Sequence, residues 1–111
     1  MDVVKTLLDS NADVNASCTD DDDTALYLAA QSGHVHVVKT LLDYKADVNA
    51  SCTDGATALC TAAQNGHLYV VKMLLDYKAD VNASCTDGAT ALCTAAQNGH
   101  VDVVKLSLIH I

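Results

Sequence analysis

Phenylalanine, tryptophan, proline, glutamate and arginine are all missing from these 111 residues, and the aromatic complement is four tyrosines. Without Phe or Trp the core has to be built from Leu, Val and Ala, small side chains that let helices approach closely. No stretch of 18 apolar residues occurs, so no helical membrane span is expected. Fourteen Asp against six Lys leave a net charge of −8. That field repels nucleic acid and anionic lipid, whose binding needs a basic patch, and it favours a basic partner if charge is used in recognition. G-x-S-x-G, P-loop and H-E-x-x-H patterns are also absent, so the chain is not expected to be an enzyme and no cofactor is expected. The length suits one domain. Met1-Asp2-Val3-Val4-Lys5 already carries the internal pattern described next, so no signal peptide is expected.

What the chain does have is self-similarity. The 27 residues Leu41 to His67 recur unchanged as Leu74 to His100, 33 residues later. A looser copy, Ala12 to Thr19, returns as Ala46 to Thr53 and Ala79 to Thr86. A period of this length marks a stacked array of supersecondary units.

One unit, Asp54 to Thr86, shows the local logic. Asp54-Gly55-Ala56 is a turn, with Gly55 available for positive φ. Thr57 is placed to cap a helix over Ala58–Asn65, whose Leu59, Ala62 and Ala63 share one face. Asn65-Gly66 ends it, Gly66 being suited to the left-handed C′ position. His67 leads into a second helix from Leu68 to about Tyr77, with Val70, Val71, Leu74 and Leu75 inward and a Lys72–Asp76 pair outward. Ala79-Asp80-Val81-Asn82-Ala83 is a loop anchored by Val81. Helices this short are not stable alone in water, so order has to come from stacking on the next unit.

Thr57-Ala58-Leu59, Ala62-Ala63, Gly66-His67, Val70-Val71, Leu74-Leu75 and Ala79-Asp80-Val81-Asn82-Ala83 resemble the ankyrin repeat. The resemblance covers nearly the whole chain and implies an all-α solenoid of stacked helix-turn-helix units with projecting β-turn or hairpin tips. Three departures stand out. The usual Thr-Pro-Leu-His reads Thr24-Ala25-Leu26-Tyr27, Thr57-Ala58-Leu59-Cys60 and Thr90-Ala91-Leu92-Cys93, losing the helix-starting Pro and a His that ties neighbouring repeats in the family. The Gly that usually closes the second helix is Asn11, Lys45 and Lys78. Lys in a left-handed conformation costs about 1 kcal/mol.

In this register residues 1–19 form a partial repeat (second helix and loop), and 20–53 a repeat with one extra residue in Asp20-Asp21-Asp22-Asp23. Residues 54–86 are a full repeat and 87–105 a truncated one. Residues 106–111, Leu-Ser-Leu-Ile-His-Ile, break the pattern, resemble a translated sequencing-adapter end, and are expected to be a non-native tail. The piece is expected to lack polar capping repeats, and hence to be of low stability and to self-associate through its uncapped ends.

Cys18, Cys52, Cys60, Cys85 and Cys93 are odd in number and follow the repeat. Equivalent positions in packed neighbours lie roughly 8–10 Å apart, whereas a disulfide needs Cα atoms within about 7 Å. All five are therefore expected to be free thiols, which points to a reducing compartment, cytoplasmic or nuclear. Cys60 and Cys93 start helices, where the dipole can lower a thiol pKa, but they read as small packing residues. His34 and His36 are too divergent on a helix to share a metal. His34, His67 and His100 recur at the turn between helices, where a structural role is expected. The four-Asp run lacks the spacing of a calcium loop and reads as a solvated tip.

The resemblance implies protein binding through the tips and the exposed surface of the first helices. On matching positions this face comprises Thr19, Asp21, Asp22, Asp23, Gln31 and Ser32; Thr53, Asp54, Ala56, Gln64 and Asn65; and Thr86, Asp87, Ala89, Gln97 and Asn98. Tyr27 adds the one aromatic at its inner edge, a residue type favoured in hot spots. The partner is an unknown protein; the acidic surface either suits a basic one or serves solubility alone, and discrimination is expected to rest on Asp20–Asp23 and Tyr27, where the repeats differ. The other reading is a structural spacer within a longer repeat protein.

Overall fold

A computed structural model describes residues 3–83, 85 and 90–109. Among these the chain forms helices α1 (Val3–Asp9), α2 (Ala25–Ser32), α3 (Val35–Asp43), α4 (Ala58–Gln64), α5 (Leu68–Asp76), α6 (Ala91–Gln97) and α7 (Val101–Ile109). Helices α2, α4 and α6 pack side by side in an inner layer, and α1, α3, α5 and α7 in an outer layer. Each inner helix is joined to the outer helix that follows it by a tight turn. No strand is present among the described residues, and the stems of the first two tips are closed by single antiparallel bridges, Ser17 to Thr24 and Ser51 to Thr57.

The inner helices start where a hydroxyl is available. The Thr24, Thr57 and Thr90 side chains accept from the backbone N–H of Tyr27, Cys60 and Cys93, at 3.2, 3.4 and 3.4 Å, each satisfying one orphan donor of a helix that has no Pro to preset its first turn. The expected end signals also hold. Gly66 is left-handed at φ 71°, and the His67 N–H reaches back to the Ala62 carbonyl at 3.0 Å. At the ends of the outer helices Asn11, Lys45 and Lys78 adopt φ 70°, 72° and 71°. Ala46 and Ala79 then donate to Leu41 and Leu74, both at 3.0 Å. The chain thus makes the glycine-type termination with lysine.

The core is one continuous seam. Leu26, Ala29 and Ala30 from α2, Leu59, Ala62 and Ala63 from α4, and Ala91 and Ala95 from α6 meet Val38, Leu41, Leu42, Val70, Val71, Leu74, Leu75 and Val103 from the outer layer. Val81 is half-buried against it, as its loop position implies. Burial tracks neighbours and not sequence. Leu7 is 56 % exposed while its repeat equivalent Leu41 is 2 % exposed, because α1 has no inner helix of its own to lie on. Leu108, the equivalent of Leu75, is 55 % exposed at the other end. Residues 106–109 continue α7, with Leu106 half-buried on the core and Ile109 in solvent.

Two hydrogen-bond ladders run along the outer side from repeat to repeat. Asn15 Oδ1 accepts from the Asp47 N–H at 2.7 Å, and Asn49 Oδ1 from the Asp80 N–H at 2.8 Å. The Tyr44 hydroxyl donates to Asp9 and the Tyr77 hydroxyl to Asp43. Lys39 pairs with Asp43 at 3.0 Å, one turn away on α3. The Tyr77 hydrogen bond, followed by that from Lys39, holds the Asp43 carboxyl below the usual carboxylate range.

The cysteines correct the expectation of five free thiols. Cys60 and Cys85 form a disulfide with Cα atoms 5.6 Å apart, leaving Cys18, Cys52 and Cys93 free. The separation argument applied to equivalent positions, 52 with 85 and 60 with 93. The bridge instead joins Cys60 on an inner helix to Cys85 of the next repeat, a diagonal 25 residues long. Two of the five cysteines therefore give no ground for a reducing compartment.

Lys45→Gly and Lys78→Gly relieve left-handed strain at exposed sites, and each is expected to raise stability by about 1 kcal/mol, read as a higher urea midpoint. Because the folded pKa of Asp43 is depressed, its contribution is fully present above the ordinary value of about 3.9 and is lost as pH falls through the lower folded value. Asp43→Asn is expected to flatten that acid limb of the stability–pH curve, measured by denaturant titration at stepped pH.

Candidate functional site

The inner face is assembled from tip residues and from the solvent side of α2, α4 and α6. Leu and Ala take the inward positions of these helices, which leaves Gln31, Ser32, Gln64, Asn65, Gln97 and Asn98 exposed along one edge. The asparagines are not idle there. Asn65 Nδ2 donates to the Gln31 carbonyl at 3.2 Å, and Asn98 Nδ2 to the Gln64 carbonyl at 3.1 Å. The same carbonyls receive His67 Nε2 at 3.1 Å and His100 Nε2 at 3.0 Å. A carbonyl can only accept, so Nε2 carries the proton in both rings. Each pair ties its repeat to the preceding one, replacing the tie expected to be lost with the Thr-Pro-Leu-His histidine. The rings pass beneath glycines. A Cβ at Gly33 would lie 2.7 Å from His67 Nδ1, and one at Gly66 would lie 2.7 Å from His100 Nδ1.

The first tip carries the acidic run. Thr19 Oγ1 accepts from the N–H groups of Asp21 at 3.3 Å and Asp23 at 3.2 Å. Asp22 takes φ 62°, where the sibling turn uses Gly55 at φ 85°. Asp20, Asp21 and Asp22 are exposed and Asp23 is half-buried. The second tip leans on the first. Thr53 N–H donates to the Asp21 carbonyl at 2.7 Å, and the Thr53 hydroxyl to Asp22 Oδ2 at 3.4 Å. Among the described residues no group of three or more His, Cys or acidic side chains is arranged to hold a metal ion.

Not every expected residue lies on this surface. Thr19, Thr53 and Asp54 are exposed, but Ala56 is only 5 % exposed, packed with Cys60 and Cys85 and covered by Tyr27 and Cys52. Ala56 is therefore removed from the face. Cys85 of the following repeat packs on it, a contact between repeats that a single-repeat reading does not contain. Thr86, Asp87 and Ala89 lie outside the described residues. Tyr27 is half-buried, its phenol hydrogen-bonded to Thr61 and pushed above its ordinary pKa chiefly by burial. The expectation that Cys93 is a small packing residue is corrected. Cys93 is exposed beside the Gln97–Asn98 edge, and hydrogen bonds from Thr90 hold its thiol below the ordinary value. Its position at a helix start was the available signal.

The family description "Ankyrin repeats (3 copies)" matches residues 1–85 and 45–110. The chain belongs to the ankyrin-repeat family. Ankyrin repeats serve generally as protein–protein interaction modules, and the family is typically non-enzymatic. Comparison with curated proteins finds no match to this chain. No helix among the described residues is long and apolar enough to cross a membrane. The Gly66-His67 and Gly99-His100 turns of this ankyrin array thus carry inter-repeat ties as well as connecting helices.

Gly66→Ala adds left-handed strain of roughly 1–2 kcal/mol and drives a methyl into His100. It is expected to lower the urea midpoint by more than that strain alone. Adding His100→Ala removes the clash, so the double variant is expected to lose less than the sum of the singles in a double-mutant cycle.

Proposed function

We propose that this ankyrin array binds a basic segment of a partner protein across its inner face, with the Asp20–Asp23 tip and Tyr27 as the discriminating contacts. The observation that carries the reading is the exposed carboxylates of Asp20, Asp21 and Asp22 on a tip whose backbone is already fixed by Thr19 and by the Thr53–Asp21 hydrogen bond. A preordered tip loses little entropy on binding, and one sign of charge steers association. Tyr27, half-buried beside it, offers aromatic area with a fixed ring. Cys18, Cys52 and Cys93, which remain thiols, support a cytoplasmic setting.

A spacer role has its own support. The Asn-to-Gln and His-to-Gln ties repeat with the same geometry at two successive junctions, as a uniform rod requires. Such a segment would show no dependence of binding on the tip.

Replacing Asp20–Asp23 by Asp-Gly-Ala, the sibling turn, tests the reading. Binding of an immobilised Lys-rich peptide is expected to weaken several-fold, at up to about 1 kcal/mol per exposed charge pair, and to lose salt dependence. Equal affinity and equal salt dependence for both chains in surface-plasmon titrations would exclude the tip as a recognition element.

A further inference from the structure

Two sequence-identical blocks meet different chemistry in this array. The Cys60–Cys85 bridge ties α4 to Cys85 of the next repeat, and both residues are buried beside Ala56. The corresponding positions 33 residues earlier hold Tyr27 and Cys52. There a phenol fills the place of the first sulfur, and Cys52 stays a half-buried thiol on the same apolar cluster. One junction is therefore covalently closed and its twin is not. The closed junction holds contacts besides its bridge. Across it α6 packs on α4 and α7 on α5, and Asn98 and His100 both bind the Gln64 carbonyl.

We propose that Cys60–Cys85 is a reversible thiol–disulfide staple, exchanged by a small thiol–disulfide couple of the glutathione class, which covalently locks Cys85 to α4 or frees it. In opening, a glutathione thiolate attacks one sulfur of the bridge, forming a mixed disulfide and releasing the other cysteine as a thiolate that takes up a proton. A second glutathione thiolate attacks the mixed disulfide, releasing oxidised glutathione and the second cysteine. Two electrons pass from two glutathione molecules to the bridge, and closing is the reverse. Both sulfurs are buried, so access favours a small reagent over a protein reductant. The staple does not depend on what the inner face binds.

The full chain is equilibrated in buffers of varied reduced-to-oxidised glutathione ratio, acid-quenched, alkylated with iodoacetamide and cut with trypsin. Cleavage at Lys45, Lys72, Lys78 and Lys105 separates residues 46–72 from 79–105, which differ in mass through Leu68-Tyr69 against Val101-Asp102. In oxidised buffer the two peptides are expected as a cross-linked pair, with Cys18, Cys52 and Cys93 alkylated. In reduced buffer the pair is expected to disappear while the helical circular dichroism persists, and to return on reoxidation. Cys52→Ser is expected to keep the cross-link. Cys60→Tyr, which installs the arrangement the chain already tolerates at Tyr27, is expected to abolish it without loss of helix. Alkylation of all five cysteines in oxidised buffer would overturn the proposal. So would a bridge that yields to reduction only after urea unfolding, collapse of helix on reduction, or a cross-link between two copies of 79–105.

Discussion

Helices of seven to nine residues cannot hold themselves together in water, and here the contact that holds them is the close approach of one inner helix to the next through alanine. Ala30, Ala62, Ala63 and Ala95 are fully enclosed, and small side chains there let neighbouring helices pack closely. The close approach then lets short polar side chains work across the junction. Asn65 and His67 reach the Gln31 carbonyl only because α4 lies against α2. Larger inner-helix residues would move the repeats apart and break the polar ties along with the apolar seam. The absence of Phe and Trp, first legible as a limit on the core, is thus a condition for the hydrogen bonding between repeats.

Because every unit depends on its neighbours, identical sequence does not mean identical environment. Leu7 and Leu41 sit in the same local pattern, yet one faces solvent and the other the core. The cysteines show the same effect in chemical form. Cys52 and Cys85 lie in identical stretches, and what decides their state is whether the residue across the junction is Tyr27 or Cys60. In a one-dimensional array stability is a sum over junctions, and this chain has made its junctions unequal with a single exchange of residue.

The inner face follows from the same geometry. Its helical edge is partly occupied by the array's own ties, since Asn65 and Asn98 are engaged with the preceding repeat. Its free chemistry concentrates at the first tip, where one inserted aspartate and a threonine cage display negative charge on a fixed backbone. Duplication has kept the sequences of the remaining strips alike, so the first tip and Tyr27 are where the copies differ.

Helix limits, threonine caps, left-handed lysines and buried faces were legible in the sequence because each depends on residues within one turn or one periodic stripe. Thr57, Lys78 and Val71 do what their local patterns require. The bridge between Cys60 and Cys85, the burial of Ala56, and the reach of His67 to Gln31 were not legible. These contacts join residues 25 to 36 positions apart, across junctions whose geometry is set by how whole repeats pack. Local pattern determined what each repeat is; only the stacking decided which of its side chains would be spent on the neighbour and which left for a partner.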